Sequence, residues 1–422
     1  MKKIKVLWVI NELFPEVADY LKLETSYVGG WVNGLANNIK TKESIELHIS
    51  TVHQVDSIKQ FYDNKINFHV VPSVKNNQDY DKNLEKEWKV LISEVQPDVI
   101  HIHGTEYAHG LALMNSCPNQ KYVISIQGLV SVYVKYYLAN LSFSTILKNV
   151  SFRDVIRFDT IWQGKSKYKK RGKFELQYLT KTKNVMGRTD WDFAHAKSIN
   201  QQVNYHFCNE TLRDSFYTEV KWKFNKIEKF SVFLSQCSYP IKGLHQMLEA
   251  LTIIKKYNPD VTLNIAGENI LAKNKIKITG YAKLIQRLIT KYNLKDNINF
   301  LGILNEHQMK DQYLKSHVFV CPSSIENSPN SLGEAQILGV PSIASYVGGN
   351  HNLVNHGHDG YLYRFEESEI LAQLIIKLFN KHELCERISS NAIVSGELRH
   401  NRKINANRNL EIYKNIYIHN IN

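Results

Sequence analysis

The sequence predicts two consecutive α/β domains, each built on a parallel sheet flanked by helices. Three observations carry this expectation. The 422 residues exceed what one ordinary core fills and suit about two domains of ~200 residues each. Short β-rich runs alternate with helix-like runs as far as Tyr217, the pattern of parallel strands joined by crossover helices. A polar stretch without clear periodicity, TEVKWKFNKIEK, then interrupts the alternation, which resumes beyond it.

In the first half KVLWVI, IELHIS, DVIHIHG and YVISIQG read as strands, with GGWVNGLANNIK and YAHGLALM as helices between them. The pattern returns with NVMGR, a helix from Trp191, and YHFC. The opening MKKIKVLWVINELF reads as a first buried strand and not as a signal peptide, because Asn11 and Glu12 cut its apolar run short. In the second half FSVFLS, VTLNIAG, INFLG, VFVCPSS and VPSIAS read as strands. GLHQMLEALTIIKKY, the stretch 281–292, EHQMKDQYLKS and SLGEAQILG read as helices. The expected boundaries are a first domain over 1–222 with a basic aromatic insertion at about 129–183, a second over 223–399, and a helix over 400–422 packing back on the first.

Composition narrows the function classes. No run of ~18 apolar residues is present, so no transmembrane helix is expected. The five cysteines are scattered, odd in number and without a CxxC pair, which speaks against a disulfide framework or a zinc site and for a reducing cytoplasm. The net charge is +13, and 13 Lys or Arg against 3 Asp or Glu fall between Tyr133 and Arg188.

The stretch SIENSPNSLGEA holds the most chemistry. VFVCPSS reads as a buried strand, which puts Glu326 in the loop at its carboxyl end, where open α/β sheets bind ligands. A helix should start near Ser328, with Pro329 in its first turn, and stop at Gly339. Its N-terminus presents unpaired N–H donors and about half a positive charge, an arrangement suited to phosphate. Glu334 then lies inside the helix. It could serve a ligand, or it could close a capping box with Ser331 and do nothing else.

ENSPNSLGEAQILGVPSIASYVGG resembles the E-x7-E signature of retaining nucleotide-sugar glycosyltransferase family 4. SYPIKGLHQMLEAL, VTLNIAGEN, INFLGILNEHQMKDQYLKSHVFVCPS and ETSYVGGWVNGLANNI match that family in order and spacing. The resemblance implies the GT-B fold, two Rossmann-like domains facing each other across a cleft, and a retaining, metal-independent hexosyltransferase without a cofactor. It implies donor binding by the second domain, with Glu326 and Lys242 in catalysis and Glu334 on the ribose. Ser328 and the backbone of Asn330, Ser331 and Leu332 would face the diphosphate. Gln236, Gly267, Glu268 and Asn269 would lie near the donor, as would Gly29 and Gly30. Gln127, His103 and Arg188 would stand on the acceptor or sugar side.

Two positions depart from the family pattern. Gln236 replaces a common arginine and Gln127 a common histidine, so the diphosphate depends more on Lys242 and no imidazole base stands at 127. His101 and His103 are the alternative imidazoles. The DxD strings Asp79-Tyr80-Asp81 and Asp190-Trp191-Asp192 carry no metal in this reading. A silent sugar-nucleotide binder and an epimerase or hydrolase on the same fold are the competing functions.

The insertion mixes Lys and Arg with Tyr, Trp and Phe, which suits an anionic membrane surface, a nucleic-acid patch or a plain solvated surface, the first being preferred. No nucleic-acid motif accompanies it. The expectation is a cytoplasmic enzyme of cell-surface polysaccharide synthesis, peripheral on the inner face of the membrane, with a glycan or lipid-linked acceptor.

Overall fold

The structure is a computed structural model and describes residues 3–24, 30–74, 79–272 and 277–418. The chain forms two compact units, one of residues 1–132, 168–213 and 400–422, the other of 133–167 and 214–399.

In the first unit the strands are β1 (Ile4–Val9), β2 (Ile45–His53), β3 (Lys59–Asp63), β4 (Ile66–Pro72), β5 (Val99–His103), β6 (Tyr122–Ser125), β7 (Asn184–Gly187) and β8 (Asn204–Phe207). They form one sheet in the order β3-β4-β2-β1-β5-β6-β7-β8. Every pairing is parallel except β3 with β4. That antiparallel edge hairpin is not in the sequence reading. Asn64 and Lys65 turn it with φ of 49° and 64°, the two left-handed residues a tight hairpin needs. Val6 and Trp8 face one buried layer and Leu7 and Val9 the other, so β1 is apolar on both faces as a central parallel strand must be. Helix Arg402–Ile418 closes the first layer with Ile412, Tyr413 and Ile416, and Trp8 Nε1 donates to Tyr413 Oη at 3.0 Å.

In the second unit the strands are β9 (Glu228–Leu234), β10 (Thr262–Ala266), β11 (Ile298–Gly302), β12 (Ser316–Cys321), β13 (Ser342–Ser345) and β14 (Tyr361–Tyr363). The order is β11-β10-β9-β12-β13-β14, and all are parallel. Strand order reverses between β9 and β12, and loops leaving their carboxyl ends diverge there. The stretch read as a linker packs on this unit. Trp222 is buried, its backbone N–H donates to Leu338 O and its indole to Ser316 O, both at 2.8 Å.

The basic aromatic segment is divided between the units. Its part 133–167 belongs to the second. Ser324 Oγ donates to Tyr136 O at 3.0 Å, a His245 ring nitrogen lies 2.8 Å from Ala139 O, and Gly280 N donates to Asp154 Oδ2 at 2.8 Å.

Candidate functional site

The loops after β9 and β12 build the site of the second unit. The β9 loop ends in a short 3-10 turn, Pro240–Lys242, and the β12 loop carries Ser323, Ser324 and Glu326. Backbone contact zips them together, with Ser324 N donating to Ile241 O at 2.7 Å. Such closeness demands glycine at two positions. Gly243 has φ +71°, and a Cβ on it would stand 1.7 Å from Pro322 O. Gly348 has φ +51°, and its Cβ would stand 1.8 Å from Glu326 O, which also accepts Gly349 N at 3.0 Å.

Two side chains meet on this scaffold. Lys242 Nζ donates to Glu326 Oε1 at 2.7 Å, and Ser323 Oγ donates to the same oxygen at 2.7 Å. Burial works against the charge on Lys242, but Glu326 and Tyr239 more than offset it and hold its pKa well above the usual lysine value. Lys242 is therefore cationic at neutral pH. Below the pair, burial and the Glu326 charge push the Cys321 thiol up to about 12, so it stays protonated and is no nucleophile.

Helix Asn330–Leu338 opens beside Glu326. It starts two residues later than the sequence predicts. Pro329 is its N-cap with φ −68° and ψ 118°, not a residue of its first turn. No side chain caps this end, so the capping box is absent: Ser331 lies within the helix and Glu334 is buried one turn further on. Leu332 N–H is already committed to Pro329 O at 3.0 Å. The leading donors are thus Asn330 and Ser331, from which no backbone carbonyl of the described residues accepts. Asn330 Oδ1 is buried without a hydrogen-bond partner. Ser328 is half-buried at the end of the loop. The helix stops at Gly339, φ +82°, as read from the sequence.

Gln236 and Gly267 come together at the edge of this site. Gly267 has φ +97°, its N–H donates to Gly302 O at 2.9 Å, and a Cβ on it would stand 4.0 Å from Gln236 Cα. Gln236 and Glu268 are exposed, while Asn269 Oδ1 accepts Leu271 N at 3.0 Å and shapes its own turn.

The first unit holds the remaining candidates. Gly30 opens helix Gly30–Ile39, where a Cβ would meet Arg213 at 2.8 Å; Gly29 lies outside the described residues. His103, Gln127 and Arg188 follow or end the neighbouring strands β5, β6 and β7. Arg188 is buried, ion-paired with Glu210 and donating to Ile126 O at 2.6 Å, so its charge is spent inside the unit. His101 is no substitute base, because its ring nitrogens lie 2.6 Å from Tyr413 Oη and 2.6 Å from Ser125 Oγ. His103 packs on the rings of Trp8 and Trp31, and burial together with Arg188 drives its pKa down to about 3. Both are core histidines kept neutral. The DxD strings are local scaffolding. Asp79 pairs with Lys170, Asp81 accepts Asn83 N, and Asp192 closes a capping box with Thr189.

Sequence reasoning missed Ser323, Gly243 and Gly348. The only signal for them was the small-residue content of CPSS, IKG and VGG on either side of the acidic loop.

Residues 217–394, the stretch that holds Lys242, Glu326 and the open helix, match the family model for glycosyl transferases group 1. That stretch of the chain is similar to the group 1 glycosyltransferases. Among curated proteins the chain is 28% identical over 211 residues to spore coat protein SA of Bacillus subtilis, across 50% of this chain and 52% of that one. It is 29% identical over 152 residues to the capsular polysaccharide biosynthesis glycosyltransferase CapM of Staphylococcus aureus, across 36% of this chain and 37% of that one. These matches span about half or less of each relative. HepE of Anabaena, solved in complex with UDP and glucose, superimposes with a TM-score of 0.67 at 16% identity, covering 97% of this chain and 99% of that one. This likeness and the two α/β units place the chain in the GT-B fold class.

Proposed function

We propose that this chain is a group 1 glycosyltransferase and moves a sugar, with retention of anomeric configuration and without a metal, from a nucleoside-diphosphate sugar to a hydroxyl of a glycan or lipid-linked glycan. One observation carries the reading. A buried carboxylate, a cation and an uncapped helix N-terminus converge where strand order reverses. That set matches a donor with an anionic diphosphate beside a polyhydroxylated ring. The UDP and glucose seen with HepE support such a donor, and CapM supports polysaccharide synthesis as the setting.

The chemistry follows from charge. Lys242 leaves Glu326 for the diphosphate, joined by the N–H groups of Asn330 and Ser331. Glu326 is then released to accept from the sugar hydroxyls, and Glu334 serves the ribose. As the C1–O bond to phosphate breaks, negative charge grows on the leaving diphosphate, and a fixed cation with helix-end donors lowers that barrier. The acceptor oxygen forms the new bond to C1 on the same face, and its proton passes to the leaving phosphate oxygen. No protein base is required, in keeping with Gln127 and with neutral, buried His101 and His103. All five cysteines are free thiols, which suits a reducing cytoplasm. An anionic membrane surface is the partner that the basic segment favours.

Thermal-shift screening against UDP, GDP and ADP sugars tests the donor, since a ligand raises stability by about 2.7 kcal/mol at a hundred times its Kd. Stabilisation by none of them, with no nucleoside diphosphate released, would overturn the proposal.

A further inference from the structure

Helices Phe143–Asn149 and Phe152–Arg157 of the second unit are amphipathic in the inverted sense. Two of their polar side chains point inward. Asn149 and Asp154 are buried, Asp154 caps its own helix and accepts Gly280 N, and Asn149 Oδ1 accepts from Arg287 at 3.0 Å. Lys283 and Arg287 also donate to Val150 O and Lys148 O, at 3.0 and 2.9 Å. Polar bonds thus tie the two helices to helix Gly280–Lys291, with Ile146 as their one buried apolar side chain, whereas most surface helices are held by an apolar stripe.

Their apolar side chains, apart from the buried Ile146, point outward. Phe143, Leu147, Phe152, Val155, Ile156 and Phe158 are 56% to 74% exposed. Phe143 and Leu147 share a face at i and i+4, and Phe152, Val155 and Ile156 at i, i+3 and i+4. Phe158 stands at the C-cap with φ 49°, a backbone region that disfavours so large a side chain, and it gains no burial there. Clustered exposed apolar side chains of this kind mark an interaction surface. At its border Lys148 and Arg157 are exposed, while the two acids of the segment are engaged, Asp154 as a cap and Asp159 with Arg153 and Lys167.

We infer that this face inserts its six apolar side chains into the headgroup region of an anionic phospholipid bilayer. The inference deepens the proposed membrane partner and rests on that reading. Charge selects the occupant. Apolar groups bordered by unopposed cations fit a surface that is apolar in depth and anionic at its level. A second copy would bring the same cations face to face.

Flotation of the full chain with vesicles is the test. The protein should float with phosphatidylcholine–phosphatidylglycerol vesicles of about 7:3 composition and bind them at least about tenfold more tightly than phosphatidylcholine alone. The double variant Phe152→Ser/Ile156→Ser should lose about tenfold or more in vesicle binding with an unchanged melting temperature, because both side chains are exposed. Lys148→Gln/Arg157→Gln should reduce binding to anionic vesicles alone. Flotation of the apolar double variant equal to the wild type, or no flotation of the wild type, would overturn the inference. So would a wild-type dimer that the apolar variant dissolves without any lipid binding. Release of nucleoside diphosphate from donor in free solution reads the transferase assignment separately, and the apolar variant should match the wild type there.

Discussion

Lys242 Nζ and Glu326 Oε1 lie 2.7 Å apart although the residues are 84 positions apart in the chain. The pair joins the loops after β9 and β12, and each partner holds the other in place of a ligand. In the proposed mechanism a donor diphosphate takes Lys242 away from Glu326, so binding and the release of a carboxylate for the sugar are one event.

The two partners should therefore respond in opposite ways. Glu326→Gln removes a competing anion, and isothermal titration should show nucleoside diphosphate binding as tightly as in the wild type or up to about tenfold more tightly. Lys242→Met removes a charge-assisted contact and should weaken the same affinity by about 10- to 100-fold. Equal weakening in both variants would mean that the pair is only structural.

The helix N-terminus can be tested one donor at a time. Asn330 is its first residue, where proline fits the backbone and deletes one N–H. Asn330→Pro should bind nucleoside diphosphate about tenfold less tightly than Asn330→Ala, with melting temperatures within a few degrees of each other. Identical affinities would place the phosphate elsewhere.

Glycines around the loop should differ by their surroundings. Gly357 has φ +79° with nothing within 4 Å of a built Cβ, and Gly357→Ala should cost only about 1–2 kcal/mol. At Gly243 and Gly348 the new Cβ also strikes a carbonyl, at 1.7 and 1.8 Å, and alanine there should cost about 3 kcal/mol or more, measured by denaturant unfolding.

Buried histidines set the acid limit. Burial is the largest cause lowering His69 and His103 to about 3, and His109, His245 and His317 to about 4. Each folded value lies below the ordinary value of 6.5, so the unfolded chain binds protons first. The stability these groups contribute is present above about pH 6.5 and is lost as pH falls toward 4. Each contributes a slope of up to about 1.4 kcal/mol per pH unit. Urea titrations should show stability falling between about pH 6 and 4.5, less steeply than the five histidines alone would give, because the buried Glu175 carboxyl, raised to about 7, contributes in the opposite sense.

Much of this was legible in the sequence. The strand-loop-helix run from Ser316 to Gly339 announces itself through an apolar stretch, a proline and a terminal glycine, all signals carried by neighbouring residues. What stayed hidden depends on distant pairing. No periodicity tells that Asp154 caps a helix while also accepting Gly280 N, so the basic segment read as one insertion of the first domain. His101 looked available at a strand end, but Tyr413, more than 300 residues further along, lies against its ring. Helix entry was misplaced by two residues because proline suits both the N-cap and the first turn, and only its ψ of 118° decides.

Nucleoside diphosphate release from UDP, GDP and ADP sugars, compared between the wild type and Glu326→Gln, tests the central claim most directly. The wild type should turn over at least one donor, and the variant should lose about 100-fold or more in turnover with nucleotide binding retained. Turnover in Glu326→Gln within about threefold of the wild type would contradict that claim.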